Sequence, residues 1–245
     1  MNIQAFILTT LAGLSTLLGT IPIFIKTKKN IIISSLSFAA GVMITVSIID
    51  LIPESINYLN KTFNITPTIL ISSISFTIGI ILSMTIDENI NKNREGELYK
   101  IGIISMLAII LHNIPEGIAT YLSGEYNLKL GISLTIAIAL HNIPEGISIA
   151  IPIYYGTKSR GKALLYTLFS ALSEPLGALL AYLFISKIIN NNIMGILMSL
   201  IAGIMIQISI YELIPTSLKY KNKKQTIIYI IIGIIFMTAS HIIFN

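Results

Sequence analysis

The 245-residue chain carries a formal net charge of +5, with only 11% charged residues against 54% hydrophobic ones and a mean hydropathy of +0.83. A soluble domain carries about 25% charged residues, so an ordinary water-soluble globule is excluded; the absence of cysteine also excludes disulfides, thiolate metal sites and cysteine catalysis. The basic residues cluster between apolar runs, which argues against a nucleic-acid partner and for contact with membrane lipid.

In chain order, the apolar runs predict eight transmembrane helices, about 3–25, 33–56, 68–86, 101–122, 131–154, 162–187, 193–218 and 225–243, in a single transmembrane domain over 1–245. Each is close to the ~20 helical residues that cross a hydrocarbon core. Backbone groups in lipid must bond within their own segment, so these runs read as helices. The first run has no basic residue ahead of it and no small-residue cleavage pattern, so it is expected to be a retained span, not a signal peptide.

Charge placement gives an independent expectation. With the N-terminus outside, the inner connections hold Lys26, Lys28 and Lys29; Lys92, Arg94 and Lys100; Lys158, Arg160 and Lys162; and Lys219, Lys221, Lys223 and Lys224. The outer connections hold only Lys61, Lys129 and Lys187, a thirteen-to-three split of the 16 basic residues. Positive charge collects on the cytoplasmic side, so both termini are expected outside the cytoplasm, in a multi-pass protein of the cell inner (plasma) membrane.

The hexapeptide HNIPEG occurs at 112–117 in the fourth run and again at 141–146 in the fifth. Asp50-Leu-Ile-Pro-Glu-Ser in the second run pairs with Glu212-Leu-Ile-Pro-Thr-Ser in the seventh. Under the charge-derived topology, the members of each pair cross the membrane in opposite directions. That pattern predicts an all-α, 3+2+3 arrangement with inverted-repeat character, a plan shared by many secondary transporters.

His112 and Glu116 are four residues apart, as are His141 and Glu145. Helical spacing stacks each pair on one face with a rise of about 6 Å. A charged side chain at bilayer depth costs at least about 2.5 kcal/mol, so these groups should meet each other across a helix contact. Imidazole and carboxylate together suit first-row divalent cations; interhelical hydrogen bonding is the plainer alternative. Pro115 and Pro144 cannot donate to the carbonyls of Leu111 and Leu140, which frees backbone polarity beside the histidines. Asn113 and Asn142 add amide oxygens, and Glu174 in the sixth run is a further buried acid, with a site role set against simple packing. Asp50 and Glu212 are pathway residues or capping contacts. Met43 reads by default as a core thioether, and His241 as an isolated structural or interfacial histidine.

The two HNIPEG segments, Phe38-Ala-Ala-Gly-Val-Met43, Ser173-Glu-Pro, and Gly203-Ile-Met with Glu212-Leu-Ile-Pro together resemble the ZIP family of divalent metal transporters, and within it the bacterial zinc-uptake-permease branch. The resemblance spans nearly the whole chain. It implies that His112, Glu116, His141 and Glu145 form the primary metal ligands, that Asn113, Asn142 and Glu174 belong to a second site, and that Met43 brings the second span to the first. It further implies Glu212 as a pathway residue, a homodimer, and inward movement of zinc or of iron, manganese, cobalt or cadmium, with the cation as substrate and no catalytic cofactor. The segment Asp87–Lys100 departs from relatives that carry a histidine-rich loop there, and Asp50 stands where close relatives have glutamate.

No GxxxxGK[ST] phosphate loop is present, so intrinsic ATPase activity is not expected. An intramembrane metalloenzyme would use the same ligands to activate water, but the chain has no HExxH and its antiparallel repeat favours passage. The expectation is therefore a transporter working by alternating access and not an enzyme. A membrane scaffold held by polar helix contacts is the remaining alternative.

Overall fold

The computed structural model describes residues 1–25, 29–89, 96–184 and 190–244. Lys26, Lys28, Lys92, Arg94 and Lys187, and the histidine-free stretch 90–95, lie outside the described residues.

Among the described residues, eight helices are long and apolar enough to cross a membrane: Ile3–Phe24 (span 1), Asn30–Asn60 (span 2), Ile65–Thr85 (span 3), Gly96–Tyr126 (span 4), Leu128–Thr157 (span 5), Arg160–Leu183 (span 6), Asn191–Leu218 (span 7) and Lys223–Ile243 (span 8). The described residues contain no strand. The protein is thus an all-α integral membrane fold with eight spans.

Spans 4 and 5 run longer than hydropathy alone suggests. The expected loop between 122 and 131 shrinks to Asn127, whose side chain accepts from the backbone N–H groups of Lys129 (2.9 Å) and Leu130 (3.3 Å). Asparagine is a favoured N-cap because it satisfies such orphan donors, so span 5 starts at once and Lys129 falls in its first turn. Both helices continue through Pro115 and Pro144 without interruption.

The irregular turns lie elsewhere. Span 2 widens into a π-helical turn at Ser47–Leu51, and span 7 does so at Ile208–Leu213. Pro53 and Pro215 follow these turns. Each proline crowds the carbonyl four residues back, at Ile49 and Tyr211, and a wider turn gives that carbonyl room.

In their most apolar windows, 67% of residues in spans 2, 4 and 7 and 61% in span 5 are buried, against 22% in spans 3 and 8. Spans 2, 4, 5 and 7 therefore form the centre, while 3 and 8 present isoleucine and leucine outward. The most extensive packing separates two bundles, spans 1, 4, 5 and 6 against spans 2, 3, 7 and 8.

Glycine seats hold each bundle and expose its symmetry. Gly146 of span 5 lies against the Thr16 carbonyl, and Gly117 of span 4 lies against the Glu174 carbonyl. In the other bundle Gly41 meets the Ile230 carbonyl and Gly233 the Phe38 carbonyl, while Gly79 meets Leu200 and Gly203 meets Phe76. Spans 2 and 8 thus pack as spans 7 and 3 do, and spans 1 and 5 as spans 6 and 4 do. Small residues allow this backbone approach where no hydrophobic force separates helix from lipid. Hydroxyl contacts add to it: Ser72 and Ser199 are 2.7 Å apart, and Ser83 donates to Gln207 Oε1 at 2.5 Å.

Candidate metal centre

Spans 4 and 5 bring the two HNIPEG segments face to face. His112 Nε2 stands 3.2 Å from Glu116 Oε1 on its own helix and 3.4 Å from Glu145 Oε1 across the contact. His141 Nε2 lies 3.6 Å from Glu116 Oε1. Glu116 is therefore the acid that meets both histidines. All four side chains are buried, and His112 Nδ1, His141 Nδ1, Glu116 Oε2 and both Glu145 oxygens have no hydrogen-bond partner. Orphaned polar atoms at membrane depth are costly, so their concentration at one place points to a ligand.

Among the described residues, no three such groups already surround a common point at coordination distance. The side chains contact one another instead. Ligands about 2.1 Å from a tetrahedral zinc stand about 3.4 Å from each other, which matches the separations above.

Beside this cluster lies a second polar group. Asn142 Nδ2 donates to the Ala12 carbonyl at 2.9 Å and to the Glu174 carboxylate. Asn113 Nδ2 donates to the Ser170 carbonyl at 3.4 Å. The oxygens Asn113 Oδ1, Asn142 Oδ1 and Glu174 Oε2 remain unpartnered, and all three residues are wholly buried.

A cavity of about 700 Å³, mouth included, reaches Glu116 and His141 from the end of the fold that carries Asp50, Glu54 and His241. His112 and Glu145 do not line it. At the opposite end, a groove contains Glu97, Tyr155, Thr216, Lys219 and Tyr220, and Lys219 is ion-paired with Glu97 across the seam between the bundles.

The remaining expected residues fall in different places. Met43 is wholly buried in the hydrophobic core and does not line the cavity. Glu212 sits in the π turn of span 7, away from the cavity lining. Asp50 lines the cavity and meets His241, Oδ1 to Nδ1 at 2.5 Å. His241 is therefore not isolated, because spans 2 and 8 bring their far ends together. Glu54 faces the same cavity.

Another feature could have been found by aligning the first and sixth spans. Leu14-Ser-Thr-Leu-Leu-Gly19 matches Leu172-Ser-Glu-Pro-Leu-Gly177, and the two segments pack on the HNIPEG helices in the same way.

The family model described as ZIP Zinc transporter matches residues 91–241. The Zinc transporter ZupT of Streptococcus mutans is 38% identical over 98% of this chain and 97% of its own length. That of Clostridium perfringens is 39% identical, covering 99% and 96%, and that of Oceanobacillus iheyensis is 37% identical, covering 96% of each. With such likeness end to end, and with both HNIPEG segments meeting where the cavity terminates, the chain belongs to the ZIP zinc transporter family.

Proposed function

We propose that the protein carries zinc, and other divalent cations of similar chemistry such as iron, manganese, cobalt and cadmium, into the cytoplasm by alternating access. The observation that carries this reading is the convergence of two identical segments, on antiparallel neighbouring helices, at one buried acid–imidazole cluster reached by a cavity from a single end. A dication entering past Asp50 and Glu54 would exchange water for Glu116 and His141, then for His112 and Glu145. Asn113, Asn142 and Glu174 would supply the next oxygens. Release would follow a shift of one bundle against the other that closes the cavity and opens the far end near Glu212. No phosphate-binding loop is present to couple this movement to ATP. The test is zinc uptake into proteoliposomes holding the purified protein. Saturable uptake supports the reading, and flux equal to that of empty liposomes defeats it.

In this reading the cavity faces outward, both termini lie outside the cytoplasm, and the protein resides in the inner (plasma) membrane. The thirteen-to-three basic split supports that orientation. Cysteines placed by Lys223→Cys and Arg160→Cys should resist an impermeant thiol reagent in intact cells, whereas Lys61→Cys and Lys129→Cys should react. Ready labelling of the first two would reverse the orientation. A homodimer forms part of the same reading, and crosslinking in native membranes would reveal it.

A further inference from the structure

Span 1 meets span 5 as span 6 meets span 4, and the correspondence extends to single atoms. The Ser15 hydroxyl donates to the Ala12 carbonyl at 2.6 Å, and the Ser173 hydroxyl donates to the Ser170 carbonyl at 2.5 Å. Each carbonyl also accepts the amide of an HNIPEG asparagine, Asn142 on Ala12 and Asn113 on Ser170. One turn further on, the Thr16 carbonyl seats Gly146 while the Glu174 carbonyl seats Gly117. Thr16 is thus the counterpart of Glu174 across the pseudo-twofold axis.

Among the described residues its hydroxyl is one of five buried serine or threonine hydroxyls without a partner, with Ser37, Thr68, Ser105 and Ser170, and it is the one that stands opposite Glu174. Thr9, Thr45, Thr120, Thr135 and Thr167, all buried within spans, each donate to the carbonyl four residues back. For Thr16 that acceptor is Ala12, whose oxygen already receives two donors and has two lone pairs to offer. The chain also leaves α-helical geometry here, since a 3-10 helix runs from Thr16 to Phe24. Thr16 is wholly buried and its Oγ1 has no partner.

We propose that Thr16 is an oxygen ligand of the permeating cation, the neutral partner of Glu174, so that the two symmetry-related positions beside the HNIPEG asparagines offer one carboxylate and one hydroxyl in place of two carboxylates. This rests on the transport reading. A second carboxylate would hold a dication more tightly and slow its departure, whereas a hydroxyl completes coordination without added charge. It also favours the harder ions of the divalent series, because hydroxyl oxygen suits manganese better than it suits cadmium.

Thr16→Val removes the oxygen and keeps the shape, and Thr16→Ser keeps the oxygen. Equilibrium binding of manganese and of cadmium to each purified full-length variant provides a readout independent of transport. The expected result is manganese binding weakened about tenfold in Thr16→Val, the scale on which supporting groups around a metal act. Cadmium should change less, and Thr16→Ser should stay near wild type. A purely structural hydroxyl would instead give Thr16→Val unchanged affinities with equal or higher thermal stability, and that outcome overturns the proposal. So does a loss of binding in Thr16→Ser equal to that in Thr16→Val. Uptake by wild-type liposomes is measured alongside. Its absence with a Thr16-dependent affinity would defeat the transport reading alone, and its presence with Thr16-independent affinity would defeat the ligand assignment alone.

Discussion

Glu116→Gln is expected to lower zinc uptake into proteoliposomes by about a hundredfold, the upper range for removing a group that tunes a metal site, with insertion into the membrane unchanged. Glu116 should be the most sensitive of the cluster because its carboxylate alone meets both histidines, at 3.2 and 3.6 Å. Glutamine preserves the volume and one oxygen but removes the charge that offsets a dication entering low dielectric. The same geometry predicts how losses combine. His112 and His141 come from different helices but share Glu116, so changing both should cost less zinc affinity than the two single losses summed. Titration of zinc into purified wild type, His112→Ala, His141→Ala and the double variant reads this directly. Strictly additive losses, with each helix forfeiting its own independent zinc, would show two separate sites and remove the shared centre from the mechanism.

The second large effect belongs to packing. Gly146→Ala or Gly117→Ala should abolish uptake and markedly lower thermal stability in detergent. A β-carbon at either position collides with backbone, the Thr16 carbonyl in one case and the Glu174 carbonyl in the other. Backbone cannot turn aside as a side chain does, so helices must separate at a cost of about 1–3 kcal/mol or more, moving the histidines out of register. Gly161 is the control. Its β-carbon would meet only the Ser159 hydroxyl oxygen at 3.8 Å, an ordinary contact, so Gly161→Ala should retain stability and uptake. Wild-type melting of Gly146→Ala would show that the helices yield more readily than their spacing implies.

How much was legible in the sequence follows from which interactions are local. The eight helices were visible because hydropathy is a property of contiguous residues, and the HNIPEG pair because helical spacing places imidazole and carboxylate on one face. The ends of spans 4 and 5 were not, since Asn127 acts by capping chemistry that outweighs the polar residues around it. The π turns were hidden for a similar reason. Proline signals disturbance, but Pro115 and Pro144 sit in uninterrupted helices while Pro53 and Pro215 follow widened ones, a difference set by neighbours. The Asp50–His241 contact joins spans 2 and 8 and has no local signature. The likeness of spans 1 and 6 was present in the letters, yet its glutamate-for-threonine difference acquires meaning only when both segments are seen against the paired helices.

The repeat also makes the two ends of the molecule comparable position by position, and they are not equal. Where span 2 offers Asp50 and Glu54 to the cavity, span 7 has Glu212 and Thr216 at the matching places. Thr216 lines the groove at the far end together with Lys219. Attraction for a dication scales with the net charge it faces; one mouth is built with two acids, and the other with the single acid Glu212, a hydroxyl and the Lys219–Glu97 ion pair. A helix duplicated and inverted would by itself give a pore indifferent to direction. In the proposed transport cycle these few substitutions would tilt it, with the acidic mouth gathering ions and the opposite mouth letting them go.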